Sequence, residues 1–246
     1  MRYLILSDIH ANWEALTAVL EDAGDGYDRI LCLGDVVGYG ADPNAVTEWV
    51  RDHVQTIVRG NHDKVATGSE DISWFNPIAQ QGSRWTMQAL TADNLAYIET
   101  IPKGPLDVDG FQLVHGSPLD EDEYLLSAYE AAQLWGYLET QVTFFGHTHV
   151  QGGFQLHRNG TRPLPQVAPR ETRAELALAD DLVYLINPGS VGQPRDSDPR
   201  AGYAVWTPED RLVEYRRVEY DIRTAQRKIL EAGLPELLAA RLSIGS

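Results

Sequence analysis

The chain of 246 residues carries a formal charge of −16 and is 43% hydrophobic, enough apolar content for one globular domain with a sizeable core. The acidic balance argues against broad electrostatic attachment to nucleic acid or anionic membrane, because counterion release needs a basic surface. No apolar run approaches the roughly 18 residues of a membrane span, and Met1 to Leu6 is too short and too soon followed by Asp8 for a signal peptide, so a soluble, cytoplasmic protein is expected.

Tyr3 to Leu6 reads as a strand, and Trp13 to Ala23 carries Ala15, Leu16, Val19 and Leu20 at helical spacing until Gly24 and Gly26 stop it. A strand over Ile30 to Leu33, a helix from about Asn44 to Asp52 behind Pro43 and a strand over Gln55 to Val58 repeat that order, which predicts a parallel sheet in the first third. The single cysteine, Cys32, lies in an apolar run and reads as a buried small hydrophobe. Val65 to Thr100 reads as two or three helices that form a small cap, about 65–101, beside the strand ends. Asp109-Gly110 sits between two apolar runs and signals a hairpin, and a helix from about Ala128 to Leu138 follows. Gly153 to Leu156, Leu182 to Ile186, Tyr203 to Trp206 and Arg211 to Val218 alternate, which suggests an antiparallel second sheet. Between them, about 160–180 is rich in Pro, Arg and Glu and reads as an exposed insertion. Asp221 to Ala232 and Glu236 to Leu242 read as terminal helices. The expectation is a single α/β domain over 1–246, built of two facing mixed sheets flanked by helices, with the helical cap.

Polar side chains gather where five of the apolar runs end: Asp8-Ile9-His10, Gly34-Asp35, Gly60-Asn61-His62-Asp63, His115-Gly116 and Gly146-His147-Thr148-His149. Five of the seven histidines lie in these segments. Turn and cap chemistry accounts for Asp8 or Asp35 singly, but not for two alternating histidines after an apolar strand. Asp, Asn and His are oxygen and nitrogen donors suited to manganese, iron or zinc. Seven donors exceed one tetrahedral zinc and suffice for two cations if one carboxylate, Asp35, bridges. A pair of ions about 3.5 to 4 Å apart can hold a hydroxide between them, clamp phosphoryl oxygens and support in-line displacement at phosphorus.

In that order the segments resemble the signature of the calcineurin-like metallophosphoesterases, D-x-H, G-D, G-N-H-[DE], H-G and G-H-x-H, with every position filled. Ser7 to Asn12, Val58 to Asp63 and Asn187 to Arg195 are similar to the compact bacterial and archaeal branch, which includes relatives of diadenosine tetraphosphatases. The resemblance implies a first metal on Asp8, His10, Asp35 and His149 and a second on Asp35, Asn61, His115 and His147. Manganese is the first expectation, with iron, zinc, nickel or cobalt as alternatives. It further implies that His62 protonates the departing alkoxide while Asp63 orients its ring, and that the reaction is hydrolysis of a small phosphate ester, a diester before a monoester. A phosphoprotein or dinucleoside polyphosphate substrate is the enzymatic alternative, and a non-catalytic scaffold the alternative of another class, disfavoured because His62 and all seven donors are present.

Five further residues have two readings each. Asn12 either reaches a substrate phosphate or caps the helix at Trp13. Arg59 either pins a phosphate or pairs with a carboxylate behind the site. Ser190 and Arg195 either line the cleft or belong to a plain turn, and Tyr39 either stacks on a base or leaving group or packs in its loop. His53 and His157 lie outside every motif and read as surface or interface residues.

Overall fold

The computed structural model describes residues 1–246. The chain begins β1 (Tyr3–Leu6), α1 (Trp13–Ala23), β2 (Arg29–Cys32), α2 (Pro43–His53), β3 (Thr56–Ile57) and α3 (Asn61–Ala66). A 3₁₀ turn (Ile72–Trp74), α4 (Pro77–Ala89) and α5 (Ala92–Glu99) follow, then β4 (Leu106–Val108), β5 (Phe111–Leu113), α6 (Ala128–Gln133) and β6 (Val142–Phe144). The rest comprises β7 (Gly152–His157), β8 (Gly160–Pro163), β9 (Arg173–Ala177), β10 (Val183–Asn187), β11 (Ala201–Thr207), β12 (Leu212–Val218), α7 (Ile222–Glu231) and α8 (Glu236–Leu242).

These strands form two six-stranded sheets, β3-β2-β1-β11-β12-β9 and β4-β5-β6-β10-β7-β8, both mixed. Period-two alternation sends Tyr3 and Ile5 into the layer between the sheets, with Phe111, Phe144, Tyr184 and Ile186 from the other sheet. Leu4 and Leu6 point the other way, against Leu16 and Val19 of α1 and Val46 and Val50 of α2. Strands covered on both faces read as unbroken apolar runs, as β1 does. Each such Leu or Ile contributes about 1.5–3 kcal/mol by burial. The helix starts follow their caps: Asn12 accepts from the Ala15 N–H, Asn76 from Ile78 and Ala79, and Thr91 from Asn94. No helix is long and apolar enough to cross a membrane.

Three expectations about the second half change. The alternating strands do not make a sheet of their own: β11 and β12 complete the first sheet, where β11 runs antiparallel to β1 with Ile5 opposite Ala204. Alternation reports that a strand is half covered, not which strand lies beside it. The stretch about 160–180 holds β8 and β9, and β9 is the edge partner of β12. Its side chains alternate between exposed and half-buried, and the half-buried Ala174 and Leu176 pack against the layer between the sheets. The helix expected to reach Leu138 ends at Gln133, with Trp135-Gly136 in the turns beyond. The hairpin at Asp109-Gly110 forms as read, both residues at positive φ and Val108 opposite Phe111.

Candidate metal centre

The loops after β1, β2, β3, β5 and β6 meet at one edge of the two sheets. There Asp8, His10, Asp35 and His149 place one donor atom each within 4.8 Å of one another, and Asp35, His115 and His147 do the same beside them. All are buried. Asp35 belongs to both groups: its Oδ2 lies 3.5 Å from His10 Nε2 and 3.5 Å from His115 Nε2. Its Oδ1 accepts the His62 N–H at 2.9 Å, which fixes the carboxylate plane. Asn61 Oδ1 lies 3.3 Å from His115 Nε2, so the amide joins the second group.

The loops approach this closely because their backbone permits it. A Cβ on Gly60 would overlap the Asp35 carboxylate, and only glycine avoids that. Asp8, His10, Ala11, Asp35, Tyr39, His147 and His149 all adopt positive φ, a left-handed conformation that non-glycine residues enter at a cost. Its concentration here marks a place where packing overrides local preference.

The hydrogen bonds decide what the rings can bind. His10 Nδ1 lies 3.0 Å from the Val37 carbonyl, His149 Nδ1 2.6 Å from that of Gln193, His115 Nδ1 2.7 Å from that of Leu33, and His147 Nε2 3.1 Å from that of Asp122. A carbonyl accepts only, so each of these nitrogens carries the proton and the other nitrogen of a neutral ring presents a lone pair. Those lone-pair nitrogens face each other, His10 Nε2 to His149 Nε2 at 3.1 Å and His115 Nε2 to His147 Nδ1 at 3.1 Å. Two lone pairs in contact repel unless a positive charge stands between or beside them. The donor set, nitrogen and oxygen atoms buried around two such contacts, therefore fits divalent metal cations.

Electrostatics agree. Burial holds the His10, His147 and His149 rings well below their usual pKa and so in the neutral, ligating form. His115 differs: burial works against a charge there too, but the Asp35 carboxylate beside it raises this ring to about 10, so a proton competes with a cation for its Nε2. Burial, reinforced by the charge of Asp35, pushes Asp8 up to about 7. The Asp35 carboxylate is thus the group that draws positive charge to the cluster, as a proton on His115 or as a cation.

Outer contacts hold these rings. Ser190 Oγ donates to the Asp8 carbonyl and Asn187 Nδ2 to the Gly146 carbonyl, so the loop after β10 braces two ligand loops. On the other side Lys64, itself buried, pairs with Asp122 at 2.5 Å, and Arg59 forms a two-point contact with Glu121 at 2.9 and 3.0 Å. These tie down the loop whose Asp122 carbonyl orients His147, on which the Tyr124 ring also lies at 3.8 Å.

These bonds decide between the two readings of several residues and overturn the role expected of Asp63. Arg59 serves Glu121 rather than a phosphate. Asn12 is consumed: its oxygen caps α1 and its amide donates to the Gly192 carbonyl. Ser190 is fully buried against Asp8 and accepts from Gln193, with no hydroxyl left for the cleft. Asp63 does not orient the His62 ring. Its carboxylate accepts the N–H groups of Gly60, Asp35, Val36 and Val37 at 2.9 to 3.3 Å, because the third residue of a helix turns its side chain back over the helix start. Asp63→Asn, which keeps one acceptor oxygen of two, should lower stability by about 1.5–3 kcal/mol. Urea unfolding of the metal-loaded protein measures this.

His62 lies buried against Tyr39 (4.3 Å), Phe75 (4.5 Å) and His10 (4.9 Å), and its Nδ1 has no partner. Tyr39 fills the space between His10 and His62, and its hydroxyl accepts from Arg195 at 3.3 Å. Arg195 spreads over the Tyr39 ring at 5.7 Å with its Nε buried and unpaired. The aromatic residues Trp74, Phe75 and Tyr124 at the rim had no part in the sequence reading. The run Ser73-Trp74-Phe75 before a capped helix was the signal for the first two, whereas the orienting carbonyls of Val37, Leu33, Asp122 and Gln193 leave none.

A sequence model of the calcineurin-like phosphoesterase superfamily domain matches residues 1–211. An uncharacterized protein of Methanocaldococcus jannaschii is 36% identical over 253 residues, spanning 98% of this chain and 97% of its own length. A crystal structure of a metallophosphoesterase from Sphaerobacter thermophilus superposes with a TM-score of 0.86 at 40% identity, covering 100% of this chain and 99% of that one. A hypothetical protein from Pyrococcus horikoshii shares the fold at a TM-score of 0.78 and 20% identity, covering 100% and 98%.

Proposed function

The chain belongs to the calcineurin-like phosphoesterase superfamily, and on that premise we propose that it hydrolyses phosphodiesters of small organic or nucleotide alcohols with two divalent cations, manganese foremost. The observation that carries this reading is the pair of facing histidine lone pairs, each 3.1 Å apart, with Asp35 Oδ2 equidistant from both halves. Asp8, His10, Asp35 and His149 would hold one cation, and Asp35, Asn61, His115 and His147 the other. Cations bound there supply Lewis-acid polarisation of phosphoryl oxygens and offset their charge.

The chain's own groups do the rest. Arg195, with an unpaired Nε, is placed to receive a phosphoryl oxygen that the cluster does not take. His62 is held neutral by burial, its pKa drawn down to about 4. An anionic phosphate arriving beside the ring favours its charged form, so proton and substrate enter together and the imidazolium can deliver the proton to the leaving oxygen. Tyr39 and Phe75 hold the ring in place and keep water from its flanks.

The test is the ratio of hydrolysis rates of manganese-loaded protein on an activated phosphodiester and on the matching monoester, with His62→Ala excluding a contaminant. A ratio well above one is expected. A ratio well below one would make the protein a phosphomonoesterase and overturn the diester assignment.

A further inference from the structure

The cluster opens into a cleft of about 480 Å³, with Asn61 and His147 on its floor. Its walls are aromatic: Trp74 and Phe75 on one segment and Tyr124 on the loop after β5. Trp74 is 82% exposed, an unusual position for an indole that no core requires, and Tyr124 is 46% exposed although its ring rests on His147. Phe75 instead lies against the His62 ring, so this wall begins at the proposed proton donor.

No lysine or arginine lines the cleft, and its polar wall consists of Glu70, Asp120 and Asp122. Two of these carboxylates are already paired with Lys64, at 3.5 Å for Glu70 and 2.5 Å for Asp122. Asp120 has no cationic partner, and one of its oxygens accepts the Asp122 N–H. An anionic leaving group would therefore meet the unpaired Asp120 and no free cation on this wall. A flat, uncharged group would stack on exposed ring faces and find an acceptor for an amino or hydroxyl group.

Resting on the phosphodiesterase reading, we infer that this cleft seats the leaving alcohol and selects an uncharged aromatic one, of which a nucleoside is the chemical class. Arg195 and the metal cluster take the phosphate, and Trp74 and Tyr124 take the base. Terminal phosphates of a polyphosphate are excluded from this side by the acidic wall.

Calorimetric titration of the manganese-loaded protein with adenosine, ribose and choline tests the inference without turnover, alongside Trp74→Ala. That variant touches no element of the core, so it folds. Adenosine is expected to bind, ribose at least tenfold more weakly, and Trp74→Ala to weaken adenosine about tenfold, in the range of stacking on one aromatic face. Adenosine affinity unchanged in Trp74→Ala, or ribose binding as well as adenosine, would overturn the assignment. Choline binding more tightly than adenosine would overturn it in favour of a cationic leaving group. Were the protein to hydrolyse no ester at all, the phosphodiesterase reading would fail, while adenosine binding lost in Trp74→Ala would still establish the aromatic seat.

Discussion

Asp35→Asn should abolish turnover and remove at least one metal ion per chain. One oxygen of Asp35 lies 3.5 Å from ring nitrogens of both donor groups, so it is the atom the two sites would share. The amide removes the negative charge and presents either a weaker oxygen or an N–H₂ group to nitrogens that need a cation. Loss of the carboxylate also removes the charge that raises His115 to about 10, leaving less reason for positive charge to gather there. Metal content per chain is the direct measurement, and the thermal shift on adding manganese the second. Ligand at one hundred times its dissociation constant stabilises by about 2.7 kcal/mol. At about 2–4 °C per kcal/mol for a domain of this size, the wild type should gain roughly 5 to 10 °C. The variant should lose most of that gain. Full metal content together with substantial hydrolysis would show that Asp35 does not bridge.

His62→Ala should cut turnover by about 10² to 10⁴, the usual contribution of a general acid, while metal content stays full. The ring contributes none of the facing lone pairs, and its contacts are to Tyr39, Phe75 and the His10 ring. Emptying that space leaves a cavity between two aromatic side chains, so the rate must be measured well below the unfolding transition. A substrate whose leaving alcohol is already a good anion needs little protonation. The deficit should therefore shrink on an activated ester and widen on an alkyl one. Loss of metal in this variant would move His62 into the ligand shell, and an equal deficit on both esters would remove its role as acid.

Much of this centre was legible because its chemistry is local. The apolar runs that become β1, β2, β5 and β6 end within a few residues of Asp8, Asp35, His115 and His147, and strand ends of α/β sheets are where ligand-binding groups collect. Asp63 was misread for an equally local reason. Adjacency to His62 suggested partnership, whereas neighbours on a helix point apart, and Asp63 caps the start of α3. Arg59 and Asn12 were ambiguous because each has two satisfactory partners in principle, and Glu121, 62 residues from Arg59, is invisible to any window of sequence. The aromatic wall was missed because an exposed Trp74 and a buried tryptophan look alike in a sequence.

The sequence by itself determined the donor types, the order of the loops and the strands that carry them, since these follow from residue chemistry and from hydrophobic period. Which nitrogen of each histidine is free to bind was decided by the tertiary structure alone. The proton on each ring is fixed by a backbone carbonyl between 25 and 82 residues away, and any residue at that place would have supplied the same carbonyl. The allotment of β11 and β12 to the first sheet was decided in the same way, because backbone pairing is common to all residues and only the packing of the whole chain selects the neighbour.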